Sequence, residues 1–154
     1  MTDMAADDKS LRLERMIAAP PALLFELCTE PAELVKWWAP DGYRASVDVF
    51  ELRPGGRWRI TLHGSRGHDV AMGGAFRLIE PPRRLVYSWA WETPDAATGN
   101  ATEVEMTFAA VPGGTRVILE HRHFADAAAC QRHVAGWSAS FDRLGTLAAR
   151  ATPP

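Results

Sequence analysis

Little in this chain points to covalent or ionic scaffolding. Its 154 residues hold two cysteines, Cys28 and Cys130. That excludes a disulfide framework, and both fall in segments of helical patterning, where they read as reduced, buried thiols rather than a disulfide or a reactive pair. No apolar run approaches the roughly 18–20 residues that cross a bilayer, so a membrane span is not expected. Neither sign of charge dominates: 17 basic and 19 acidic residues are interspersed and give a net charge of −2. That excludes the electrostatic footprint of a nucleic-acid partner or of an anionic membrane surface. Met1–Ser10 is polar and acidic, unlike a secretory signal, and the cytoplasm is the expected compartment. There is no Gly-x-Ser-x-Gly elbow. Gly55-Gly56 and Gly113-Gly114 join strand to strand, so neither forms a phosphate loop. No repeat, low-complexity tract or internal linker appears. The length suits one domain over residues 11–150, with residues 1–10 as a disordered tail and 151–154 as a short one.

What the chain does have is apolar content, 47%, and six tryptophans: Trp37, Trp38, Trp58, Trp89, Trp91 and Trp137. Leu11–Ile17 alternates as a first strand, with Leu11, Leu13, Arg15 and Ile17 on one face. Proline at the first turn suits a short helix carrying Leu23, Leu24, Leu27 and Cys28. Thr29 is placed to cap a second, holding Leu34, Val35, Trp37 and Trp38. Strands then follow in quick succession between Gly- and Pro-containing turns. At Arg53-Pro54-Gly55-Gly56 both glycines are expected to supply positive φ. Val70, Met72, Gly74, Phe76 and Leu78 form one face, as do Leu85, Tyr87, Trp89 and Trp91. After a polar loop at Glu92–Ala101, Val104, Met106 and Phe108 alternate with Glu103 and Glu105, which should meet water. Val117, Leu119 and His121 are in phase on the last strand. From about Asp126 to Arg150 the period changes, and Val134, Trp137, Phe141, Leu144 and Ala148 share one helical stripe. The layout is α+β: a curved antiparallel sheet of about seven strands, two short helices after the first strand, and a long C-terminal helix across the concave face.

The ordered set Leu34-Val35-Lys36-Trp37-Trp38-Ala39-Pro40, Arg53-Pro54-Gly55-Gly56-Arg57-Trp58, Glu80-Pro81-Pro82-Arg83-Arg84-Leu85, and Gly136-Trp137 followed by Leu144 resembles the Aha-like domain. That family is named for the C-terminal domain of the heat-shock chaperone ATPase activator. It is a branch of the START/Bet-v-1-like (SRPBCC) helix-grip superfamily. The resemblance runs from Leu11 to about Leu147. Glu51 stands where an aspartate is common. The resemblance implies a helix-grip fold and a cavity but no reaction, since its relatives include carriers, aromatase/cyclase domains and chaperone co-factors.

The candidate pocket is lined by Trp58, Met72, Phe76, Tyr87, Trp89, Met106, Phe108, Leu119 and His121 from the sheet, with Trp137 and Phe141 from the helix. Such aromatic, Met-rich walls suit a small lipophilic or aromatic molecule. The plainer alternative is that they collapse into an ordinary packed core. Arg15, in phase with apolar neighbours, either meets a ligand carboxylate, reaches solvent along its own methylene stem at the strand end, or pairs with an internal acid. His121 and His123 share a strand face, but nothing at a suitable spacing completes a metal site. His121 is instead a polar pocket group or a satisfied core histidine. His63 and His68 should be solvated, and His133 lies beside the apolar stripe without a role. No cofactor or catalytic residue is assigned. Binding of a small hydrophobic ligand is the leading expectation. A cyclase- or hydrolase-type enzyme acting on an aromatic or polyketide-like substrate is the alternative, and a co-chaperone-like interaction module the third. The few residues ahead of the first strand weigh against the third. A homodimer is compatible with an exposed sheet edge or an exposed Trp37-Trp38.

Overall fold

The computed structural model describes residues 4–6, 9–92 and 101–151. The chain opens with strands β1 (Met4–Ala6) and β2 (Ser10–Ile17), followed by helices α1 (Pro21–Thr29) and α2 (Pro31–Trp38). Strands β3 (Tyr43–Phe50), β4 (Arg57–Gly64), β5 (Asp69–Glu80), β6 (Arg84–Glu92), β7 (Thr102–Val111) and β8 (Gly114–Arg122) come next, and α3 (Ala127–Ala151) closes the fold. All neighbours pair antiparallel, in the order β1-β2-β8-β7-β6-β5-β4-β3. This is the expected α+β helix grip, with the expected strands at β2 to β8. Strand β1 adds three residues, paired through Ala5↔Arg12, inside the stretch expected to be a tail. The rest of the expected tails (residues 1–3, 7–8 and 152–154) and most of the expected polar loop (93–100) lie outside the described residues.

The short helices begin as their prolines dictate, with Pro21 and Pro31 in the first turn, where a missing N–H costs nothing. Thr29 does not cap α2. Its hydroxyl donates back to the Phe25 carbonyl at 2.8 Å, and Glu30 holds the cap position without a side-chain bond. Helix α3 is capped by Asp126, whose carboxylate accepts the Ala129 N–H at 2.8 Å.

The β3–β4 turn needs its two glycines for different reasons. Gly55 has φ of +81°, whereas Gly56 is there for space: a Cβ would lie 2.0 Å from the Glu51 carbonyl oxygen. Glu51 still serves the turn, accepting the Arg57 N–H on its carboxylate at 2.9 Å.

Along β5 the expected phase holds as far as Phe76. A bulge between Phe76 and Leu78 then shifts the register, and Ile79 rather than Leu78 packs on the core. At Gly74 a Cβ would stand 2.0 Å from the Ser88 carbonyl oxygen, and that oxygen accepts the Trp58 indole N–H at 3.0 Å.

The concave face and α3 enclose the core. Leu13, Val104, Val117, Leu119, Phe141, Leu144 and Ala148 are fully buried, and both cysteines are buried with no disulfide between them. The convex face carries ion pairs. Glu105 accepts from Arg84 at 2.6 Å and from Arg122 at 2.7 Å, and Glu103 from Arg122 at 3.2 Å. These glutamates are outward as expected, but laddered rather than simply solvated. His63 is likewise partnered rather than solvated, by Ser46 at 2.7 Å and Asp69 at 3.1 Å. Trp37 and Trp38 are buried, so they offer no dimer surface; β3 is a sheet edge, with Tyr43 and Val49 exposed. None of the described helices is long and apolar enough to cross a membrane.

Candidate functional site

All six tryptophans join one ring cluster. Trp38, from the end of α2, stacks on Trp89 of β6 at 5.3 Å and 19°. Trp58 and Trp137 meet both of these rings edge-on or tilted at 5.4–5.9 Å, Trp91 meets Trp89 at 5.8 Å, and Trp37 meets Trp38 at 5.7 Å. The arrangement follows from the elements: β6 alternation puts Trp89 and Trp91 on the concave side, α2 ends over them, and α3 lowers Trp137 onto them.

Beside this cluster, between α3 and the sheet, lies a cleft of about 480 Å³. Its floor is Leu62, Met72, Trp89 and Trp91, one end is formed by Trp38 and Pro40, and α3 supplies Arg132, His133, Gly136, Trp137, Ser140 and Arg143. Residues 132, 136, 140 and 143 stand at i, i+4, i+8 and i+11, a single helical stripe. The small residues at its centre leave the space open, and a Cβ built on Gly136 meets nothing within 4 Å.

Of the residues expected to line a pocket, Met72, Trp89 and Trp137 do so. Trp58, Phe76 and Tyr87 instead surround a separate void of about 20 Å³, no larger than a single water requires. Met106, Phe108, Leu119 and Phe141 are buried core residues on neither wall. Arg15 pairs with Asp142 of α3 and lies 3.5 Å from the Ser138 hydroxyl, so the internal-acid alternative is the one realised. Trp38, Trp91, His133 and the arginine-flanked stripe were not anticipated. The signal for the stripe was present as four positions on one face beside the apolar stripe.

His121 stands behind Trp137. An indole N–H can only donate, so the His121 Nδ1 that meets Trp137 Nε1 at 3.0 Å is the bare acceptor. Its Nε2–H therefore donates to the Thr102 hydroxyl at 2.7 Å, and that hydroxyl donates to the Trp89 carbonyl at 2.9 Å. His133 repeats the device. Its Nε2 accepts from Trp91 Nε1 at 2.9 Å and its Nδ1–H donates to the Ala129 carbonyl at 2.8 Å. Burial, with a smaller contribution from nearby His133, pushes His121 down to about 2. His133 is lowered too, chiefly by burial. Both imidazoles are thus neutral, with every ring nitrogen engaged. His123 lies beyond β8 with φ of +73° and does not share a face with His121. Among the described residues no group of three or more His, Cys, Asp or Glu is placed to hold a metal. Trp89 Nε1 is the one buried side-chain polar atom among them without a hydrogen-bond partner.

Residues 18–149 match the sequence model of the activator of Hsp90 ATPase homolog 1-like proteins. The chain belongs to that family. No curated protein matches it. Solved structures do. An AHSA1 protein of Silicibacter pomeroyi is 29% identical, with a TM-score of 0.83 over 93% of this chain and 99% of its own. A protein of Rhodobacter sphaeroides is 27% identical, with a TM-score of 0.82 over 96% of this chain and 97% of its own. One of Chromobacterium violaceum is 25% identical, with a TM-score of 0.84 over 91% and 96%. As an AHSA1-like chain with this fold, the protein is consistent with a ligand-binding domain, and the family resemblance read from Trp37-Trp38 and the glycine hairpin holds.

Proposed function

We propose that this AHSA1-like protein binds a small hydrophobic or aromatic molecule in the cleft under α3. The observation that carries the reading is a 480 Å³ space walled by four indoles, Trp38, Trp89, Trp91 and Trp137. That volume falls within the range of small-molecule sites, and the rings offer flat apolar faces with few competing polar groups. Each Å² of apolar ligand surface removed from water contributes about 25 cal/mol. His133, the histidine on the wall, has both nitrogens occupied, which favours holding a molecule over transforming it.

The test is a panel of aromatic and acyl compounds followed by tryptophan emission and melting temperature. A true ligand should shift both, and at a concentration one hundred times its Kd it should stabilise by about 2.7 kcal/mol. Gly136→Leu, which puts a side chain into the open space, should abolish both responses. If the full panel leaves emission and melting unchanged, the reading is wrong.

A further inference from the structure

We infer that the cleft selects amphipathic organic anions, seating an aromatic or acyl body between the indoles and a carboxylate between Arg143 and Ser140. This rests on the reading of the cleft as a ligand site and adds the chemistry of what enters it.

The charge lining the cleft is of one sign. Arg132 and Arg143 both line it and no aspartate or glutamate does. On another side of the same helix Arg15 has an acid, Asp142. Neither cleft arginine has one within ion-pair distance among the described residues, nor does Asp41, next to Pro40 on the rim, pair with either.

Arg143 is also built to receive. It is half-buried, and two hydrogen bonds fix its guanidinium: Nε donates to the Trp37 carbonyl at 3.0 Å and Nη2 to the Ser140 hydroxyl oxygen at 3.1 Å. Nη1 has no protein acceptor among the described residues, and neither has the hydrogen of the buried Ser140 hydroxyl. Two unused donors thus stand side by side, linked by the Nη2–Oγ bond, on the lining of a largely apolar slot. A carboxylate accepts from both and supplies the counter-charge that a half-buried cation lacks. An ammonium ligand would find no acceptor of that kind and would meet two like charges. Arg132 is exposed three turns earlier, roughly 16 Å along the axis. It adds attraction at the other end of the cleft, weakened by solvent and salt.

The experiment compares 2-naphthoate with its neutral isostere 2-naphthamide by titration calorimetry at pH 7.5. The naphthoate should bind at least about tenfold more tightly. Arg143→Gln should remove most of that preference, and Arg132→Gln should cut it roughly two- to fivefold. Naphthamide affinity should hold in both variants, which also shows that the cleft remains intact. If both probes bind equally, or the preference survives in the double variant, the anion inference is overturned while the ligand site stands. If neither probe binds, the ligand site fails and the inference with it. Should Arg143→Gln not fold, Ser140→Ala and Arg132→Gln decide the matter: unchanged naphthoate binding in both overturns the inference.

Discussion

At the scale of single residues, His121 under α3 and His133 on it show how a polar group survives among tryptophans. Each lends one nitrogen to an indole N–H and gives its own proton to an oxygen. Such a pair of bonds only works for a neutral ring. The consequence for stability has a definite sign. A histidine held below its ordinary pKa takes up a proton in the unfolded chain, near pH 6.5, but not in the folded one. Stability is therefore fully present above pH 6.5 and falls as pH drops through it, by about 1.4 kcal/mol per pH unit for a ring as buried as His121. Urea unfolding between pH 7.5 and 5 should show this slope, with His133 adding to it, and His121→Gln should flatten it. A pH-independent midpoint over that range would contradict the neutral-ring assignment. Trp137→Phe keeps most of the ring but strands His121 Nδ1, so it should destabilise by about 1–3 kcal/mol in the same assay. The inward direction of His121 was legible from strand alternation. Its partners were not, because Thr102 and Trp137 reach it only through β7–β8 pairing and the descent of α3.

At the scale of elements, α3 has two faces with separate tasks. The stripe of Trp137, Phe141, Leu144 and Ala148 packs the core, and it stands out in the sequence because apolar spacing is a strong signal. The adjoining stripe of Arg132, Gly136, Ser140 and Arg143 has the helical spacing but no apolar residue to mark it, and its meaning emerges only when the floor of the cleft is in place. Gly136 carries a cost within a helix that alanine would remove. Gly136→Ala should therefore stabilise the fold by about 0.5–1 kcal/mol, measured by chemical denaturation, since its Cβ meets no obstacle. A destabilised Gly136→Ala would mean that the space beside α3 is closed. The strands show the same division of legibility. Leu85, Tyr87 and Trp89 are buried in phase as alternation predicts. The bulge after Phe76 escapes a period-2 reading, because an extra residue changes phase without changing composition.

At the scale of the whole molecule, a bent sheet of twisted strands and one long helix cannot meet everywhere. Contact is tight under Phe141 and Leu144 and open under Gly136, and the cleft is what remains between them. Sequence pattern predicted the grip correctly, but spread the candidate lining over the entire concave face. Alternation tells which residues point inward, not how far the helix stands off at each point. Met106, Phe108 and Leu119 satisfy the inward rule and are simply packed. The outer face has a pH response of its own. Glu105 and Glu92 are held below their ordinary range, first of all by hydrogen bonds from Arg122 and Arg59 respectively. Their stabilisation is present above the unfolded glutamate pKa and is lost as pH falls below it. A second acid loss should therefore follow the histidine one, below about pH 4.5, and Arg122→Gln should reduce it.

The most direct test is crystallographic: the protein soaked with 6-bromo-2-naphthoate and its bromine located by anomalous scattering. The account predicts one strong peak under α3, among Trp38, Trp89, Trp91 and Trp137. A bromine bound only on the outer surface, or no ordered bromine at saturating ligand, would contradict it.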